Sequence, residues 1–127
     1  MKKKIAIIED ERSIANMYRY KLEEAGYEVQ IALNGKVGLE LVEKMKPDII
    51  LLDLMMPVMS GDEMLEKVRA TAWGSQIKVI VLTNVSAGQL PKNLSYLSIG
   101  RYIIKAEYTP TQVATIVSEI LDGKEAA

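Results

Sequence analysis

Short apolar blocks rich in Ile, Leu and Val recur along the chain at residues 5–8, 29–32, 49–52, 79–82 and 102–104, and they predict five strands. The blocks at 5–8, 49–52 and 79–82 are almost continuously apolar. That pattern belongs to parallel strands covered on both faces. Between the blocks the period changes to three and four. Ile14, Met17, Tyr18, Leu22 and Ala25 form one helical stripe that stops at Gly26. Val37, Leu41, Val42 and Met45 form a second before Pro47, and Met64, Leu65 and Val68 a third. The last is the best marked, because Thr109 and Pro110 offer a cap and a first-turn proline ahead of Val113, Ile116, Val117, Ile120 and Leu121. Residues 89–97 predict at most a short helix, with Pro91 in its first turn and Leu94 and Leu97 as its only face. Alternation of strand and helix throughout implies an α/β fold, a doubly wound parallel sheet with helices on both faces.

The chain has 127 residues, which suits one domain over residues 1–127, and no output domain is expected after Gly123. Sixteen Lys and Arg face 17 Asp and Glu, a formal charge of −1, so no basic surface for direct nucleic-acid binding is expected. No apolar run is long enough to span a bilayer, and a cytoplasmic location without membrane contact is expected. Cys and His are both absent. Disulfides, thiolate nucleophiles, imidazole bases and Cys- or His-ligated zinc are thereby excluded.

What chemistry remains lies at the carboxyl ends of the strands, where open α/β sheets bind ligands. The first block runs into Glu9, Asp10 and Glu11, and the third into Asp53, which Met56 and Pro57 follow closely. If the first and third strands are neighbours, these carboxylates share one pocket and repel one another. A hard divalent cation with oxygen ligands and room for water resolves the repulsion, and Mg²⁺ suits such a partial cage better than Ca²⁺. Glu11 is more simply a solvated loop acid. Thr83 ends the fourth strand and Lys105 the fifth. A hydroxyl and an ammonium converging on a carboxylate and a metal form a phosphoryl-binding set. Asp53 could then attack a phosphoryl group directly, since a carboxylate needs no base to activate it.

These residues resemble the receiver domain of bacterial two-component response regulators. The resemblance rests on Glu9-Asp10, on the run Asp53-Leu54-Met55-Met56-Pro57-Val58-Met59-Ser60-Gly61, and on Thr83, Tyr102 and Lys105 in order. It implies the flavodoxin-like strand order 2-1-3-4-5 and a phosphoacceptor role for Asp53, fed by a phosphohistidine on a sensor histidine kinase or phosphotransfer protein. It also implies Mg²⁺ held by Asp10, Asp53 and the backbone carbonyl of Met55, with Glu9 acting through water. Thr83 and Tyr102 would form a switch pair, and Lys105 would contact the phosphoryl group. The protein would assist its own phosphorylation and dephosphorylation rather than act as an enzyme on other substrates. A phosphoryl charge near Thr83 would draw its hydroxyl inward and free space for the Tyr102 ring, changing the surface formed by the fourth helix, fifth strand and fifth helix. Kinase docking is expected at Ile14, Met17, Tyr18, Ala106 and Glu107, although Met17 and Tyr18 could equally be core. Tyr96, Arg101, Tyr102 and Tyr108 suggest a second surface for a downstream protein or a homodimer.

Three positions depart from the family pattern. Lys105 is followed by Ala106 where proline with a cis bond is usual, so either the bond is cis or the loop differs. Asn84 is larger than the usual Ala or Gly, and Ser98-Ile99 replaces a Gly-Ala pair, with Gly100 displaced. These departures motivate an alternative, a docking module that works without phosphorylation. A dehalogenase-type aspartyl phosphatase would want an acid at position 55, which is Met. A flavodoxin-like cofactor binder would not place Glu9, Asp10 and Glu11 where a phosphate must sit.

Overall fold

A computed structural model of the chain describes residues 2–84 and 89–123. The strands are β1 (Lys4–Ile8), β2 (Glu28–Ala32), β3 (Ile49–Leu52), β4 (Lys78–Thr83) and β5 (Arg101–Ile104). They pair in parallel in the order β2-β1-β3-β4-β5, as the family resemblance implies. The helices are α1 (Arg12–Glu24), α2 (Gly35–Met45), α3 (Gly61–Arg69) and α4 (Pro110–Leu121). Every residue of β3 is buried, which the continuous apolar run requires of a central strand.

Alternate strand residues divide the core in two. Ile5, Ile7, Ile49, Leu51, Ile80, Leu82 and Ile103 pack beneath α1 and α4. Ala6, Ile8, Ile50, Leu52, Val79 and Val81 pack beneath α2, α3 and the pair Leu94 and Leu97. Pro110 starts α4 behind a full capping box, in which Thr109 Oγ1 accepts from the Gln112 N–H and Gln112 Oε1 accepts from the Thr109 N–H. Asn34 caps α2 through the Val37 N–H at 2.9 Å.

Three expectations change. In α1 the buried stripe is Ala15, Tyr18 and Leu22, while Met17 and Ala25 are exposed, Ala25 just after the helix end. Val37 is exposed and not part of the buried stripe of α2. Gly38 takes that role, because its bare Cα lets the helix settle on Ile8, where a Cβ would stand 2.8 Å from a side-chain carbon. The expected helix within 89–97 is a five-residue 3₁₀ segment, Lys92–Tyr96, with Pro91 just before it. A two-leucine face is all that it buries, and short 3₁₀ turns suit so small a contact. Side chains of α3 secure this region. Arg69 Nε donates to the Leu97 carbonyl at 2.7 Å, Nη1 to Gly74 and Ile77 at 2.9 and 2.7 Å, and Nη2 to Ser98 at 3.0 Å. Asn93 Nδ2 donates to Glu66 at 2.7 Å and to Asp62 at 3.3 Å.

Candidate phosphoacceptor site

β1 and β3 are direct neighbours, so the chain leaving each delivers its acids to the same rim. The Asp53 N–H still donates to the Ile8 carbonyl at 2.9 Å, which places its side chain one step beyond the sheet. Asp53 and Glu9 are buried and Asp10 is exposed, yet one carboxylate oxygen from each lies within 4.8 Å of the others. Lys105, delivered by β5, bridges this cluster from the far side. Its ammonium donates to Glu9 Oε1 and lies 3.4 Å from Asp53 Oδ2. Glu9 Oε2 accepts from the Glu11 N–H at 3.1 Å, so both oxygens of this buried acid are engaged.

Burial and the neighbouring Glu9 charge push the Asp53 carboxyl up to about 6, with Lys105 opposing them and Asp10 adding to them. Burial alone would depress the Lys105 ammonium. Its hydrogen bond to Glu9 and the charges of Asp53 and Glu9 outweigh that cost and hold its pKa above the ordinary lysine value. The cluster thus carries more negative charge than one ammonium offsets. An all-oxygen donor set of this spacing, without Cys or His, fits Mg²⁺. Asp10 borders an open cleft of about 480 Å³ whose walls include Met55, Met56, Pro57, Asp62 and Pro91.

The loop from Asp53 into α3 is tightly drawn. The Gly61 N–H donates to Leu54 at 3.0 Å, and a Cβ on Gly61 would stand 2.1 Å from the Asp53 carbonyl oxygen. Only glycine permits that approach. Val58 sits in the left-handed region at φ +70°, inside a three-residue turn closed by Met59 N–H to the Pro57 carbonyl at 2.7 Å. The side chains of Met55 and Val58 point away from the core, 70% and 77% exposed.

Thr83 is buried at the end of β4, opposite Ile104 in register, and Val81 faces Tyr102. Tyr102 is 43% exposed on the edge strand, and burial still pushes its phenol pKa up. The Lys105–Ala106 bond is trans, as are the other described peptides, so the loop differs from the proline pattern. It forms a 3₁₀ turn, Lys105–Glu107. Tyr18, expected on a docking surface, is only 4% exposed and belongs to the core beneath α1. Burial pushes its phenol up, with Lys105 lowering it and Glu9 and Asp53 raising it. The ring therefore lies under the site and offers no outer surface. Ile14 is half-buried, while Met17, Ala106 and Glu107 are exposed. Tyr96 is exposed, and Arg101 and Tyr108 are half-buried. Arg69 and Asn93 were invisible in the sequence, because lone polar residues on an amphipathic helix and a turn carry no pattern.

Fold and rim together define an α/β protein of flavodoxin-like strand order with an acid–lysine pocket at the carboxyl ends of β1, β3 and β5. The chain belongs to the response regulator receiver domain family, whose model matches residues 5–118. It is similar to the phosphate regulon transcriptional regulatory protein PhoB of Rhizobium meliloti, 31% identical over 123 residues, 95% of this chain and 53% of that protein. It also matches the DNA-binding dual master transcriptional regulator RpaA of Synechocystis, 38% identical over 80 residues, 63% of this chain and 33% of that protein. Among solved structures, the chemotaxis protein CheY4 of Vibrio cholerae superimposes with a TM-score of 0.85 at 25% identity, covering 94% of this chain and 99% of that one. The chain spans about half the length, or less, of the curated relatives it matches. Those relatives are by name transcriptional regulators, one of them DNA-binding, which stands against the expectation of no nucleic-acid partner. No helix among the described residues is long and apolar enough to cross a membrane.

Proposed function

We propose that this receiver domain is a phosphoacceptor switch in which Asp53 takes a phosphoryl group from the phosphohistidine of a sensor kinase or phosphotransfer protein in the cytoplasm. The observation that carries the reading is the buried Asp53 carboxylate held between Glu9, Asp10 and Lys105. An Asp53 oxygen attacks phosphorus, the phosphorus–nitrogen bond breaks, and the leaving imidazole nitrogen takes a proton from water. Asp10, Asp53 and the Met55 carbonyl would hold Mg²⁺, with Glu9 acting through water. The ion supplies charge neutralisation for the phosphoryl oxygens. Lys105 is already 3.4 Å from Asp53 and needs only to exchange Glu9 for a phosphoryl oxygen. Thr83, buried one strand away, donates its hydroxyl to another, and Tyr102 turns in behind it.

A docking face for the kinase follows from Ile14, Met17, Ala106 and Glu107, beside an open groove of about 300 Å³ between Met17, Tyr20 and Pro110. Output to a downstream protein or a second copy runs through Tyr96, Arg101, Tyr102 and Tyr108. DNA contact belongs to this protein only if a further segment supplies it, since charge on the chain is near balance.

Acetyl phosphate with Mg²⁺ should add the mass of one phosphoryl group to the intact protein, and none to Asp53→Ala. An adduct that persists in Asp53→Ala refutes the assignment of the acceptor. Absence of any adduct favours the docking module that the Ala106 loop and exposed Asn84 suggest. Ile14→Glu should slow transfer from the cognate kinase and spare acetyl phosphate labelling; equal loss of both would sink the docking face.

A further inference from the structure

The rim of the sheet formed by β2 carries no function in the account above. In a parallel ladder the N–H and C=O of one residue face the same neighbour, and successive residues alternate sides. Glu28 N–H donates to Lys3 at 2.9 Å and the Ala32 carbonyl accepts from Glu9 at 3.0 Å, so Glu28, Gln30 and Ala32 face β1. Val29 and Ile31 therefore aim their N–H and C=O groups outward, and no described strand lies beyond them. Over this edge hang Arg12, Asn16 and Arg19, spaced four and three apart on one face of α1. They and the edge residues enclose an open cleft of about 430 Å³ whose lining includes two cations and no acid. Among the described residues neither guanidinium is paired with a carboxylate.

We propose that this rim is a docking edge for an extended acidic segment of a partner protein, which adds to the sheet beside β2 and presents carboxylates to Arg12 and Arg19. Free backbone groups at every second residue recognise a strand and not a helix. The arginines supply the sign. Seven helical residues separate them by about 10 Å along α1, the rise of about three strand residues, so acids two positions apart come within reach of both side chains. Glu28, exposed at the start of β2, repels acids at that end and biases the carboxylates toward Leu33. The bland role for the same arginines is to blunt an exposed edge against self-pairing, and a second copy of this chain would bring arginine against arginine.

The test follows amide exchange at Val29 and Ile31 by NMR while a blocked hexapeptide of alternating Glu and Val is titrated in. Exchange at both amides should slow by about tenfold or more near saturation, and binding should weaken as salt rises. A Lys-Val peptide and a Glu-Pro peptide should leave both amides unchanged. Charge reversal at both positions, Arg12→Glu with Arg19→Glu, should cost about tenfold in affinity, while Arg12→Lys with Arg19→Lys keeps most of it. Unperturbed amides, equal binding of either control peptide, or indifference to charge reversal in a protein with native circular dichroism would each overturn the proposal. So would a wild-type dimer protected at the same amides. Self-association of Arg12→Ala with Arg19→Ala, without any peptide binding by the wild type, would leave edge blunting as the whole role. None of these readouts depends on phosphorylation of Asp53.

Discussion

The two faces of the sheet are closed by different means. Beneath α1 and α4, two helices of 13 and 12 residues pack on each other and cover β1, β3, β4 and β5 with aliphatic side chains. On the opposite face α2 and α3 are shorter, and among the described residues Leu94 and Leu97, on and just after a 3₁₀ segment, join the cover, with Trp73, Ile77, Leu90 and Ile99 partly buried against it. There hydrogen bonds of Arg69 and Asn93 tie α3 to the 3₁₀ segment and the residues after it. Apolar packing is cooperative and hard to shift, whereas a few side-chain bonds to loop carbonyls hold a segment that can be released alone. The acid–lysine rim sits between these two differently closed halves.

The contrast can be broken by truncating one side chain on each face. Ile80→Ala, on the α1–α4 face, should cost about 3–4 kcal/mol in chemical denaturation, because both helices prevent collapse of the cavity. Leu94→Ala should cost about 2 kcal/mol, since its segment can resettle. Equal losses would show that the two faces are equally rigid. Next in size, Arg69→Gln should cost about 2–3 kcal/mol and speed amide exchange from Leu94 to Gly100 ahead of the rest of the fold. A uniform change in exchange would mean that the segment has no separate release.

The rim itself gives a pH-dependent effect. The folded-state pKa of Asp53, about 6, lies above the ordinary carboxyl value of 3.8, so ionisation costs stability as pH rises from the lower value through the higher. Asp53→Asn should therefore stabilise the metal-free protein on the order of 2 kcal/mol at neutral pH, and the gain should vanish as pH falls toward 4. Thermal melts across that range check it. Mg²⁺ should narrow the difference by stabilising the wild type more than Asp53→Asn. Smallest of all, Val58→Gly should stabilise by about 1 kcal/mol, because glycine adopts φ +70° without the Cβ clash and only part of the gain is lost to entropy. A lower melting temperature would show that the valine side chain has a packing role on that loop.

Most of the fold was legible because its signals are local and repeated. Continuous Ile and Leu runs marked β1, β3 and β4, and Thr109-Pro110 marked the start of α4 at its observed cap. The acid–lysine pocket was legible because each member ends a strand, and parallel strands bring their ends to one rim. Tyr18 was not, since an aromatic at helical spacing fits core and surface alike. The helix expected before β5 failed for want of a third apolar turn. Val37 misled because Gly38, with no side chain, occupies the packing position. Contacts such as Arg69 to four carbonyls join distant residues and leave no periodic trace.

Among the described residues β5 is an edge strand of four residues bonded on one side only; it carries Tyr102, and Lys105 follows it directly. A strand with half a ladder shifts at lower cost than one anchored on both flanks. In the proposed switch the groups that relocate ride on the lightest part of the sheet or directly follow it, while the Asp53 carboxylate follows a strand paired on both sides, β3. Receiving and transmitting would then be separated mechanically, and neither would demand that the other's support give way.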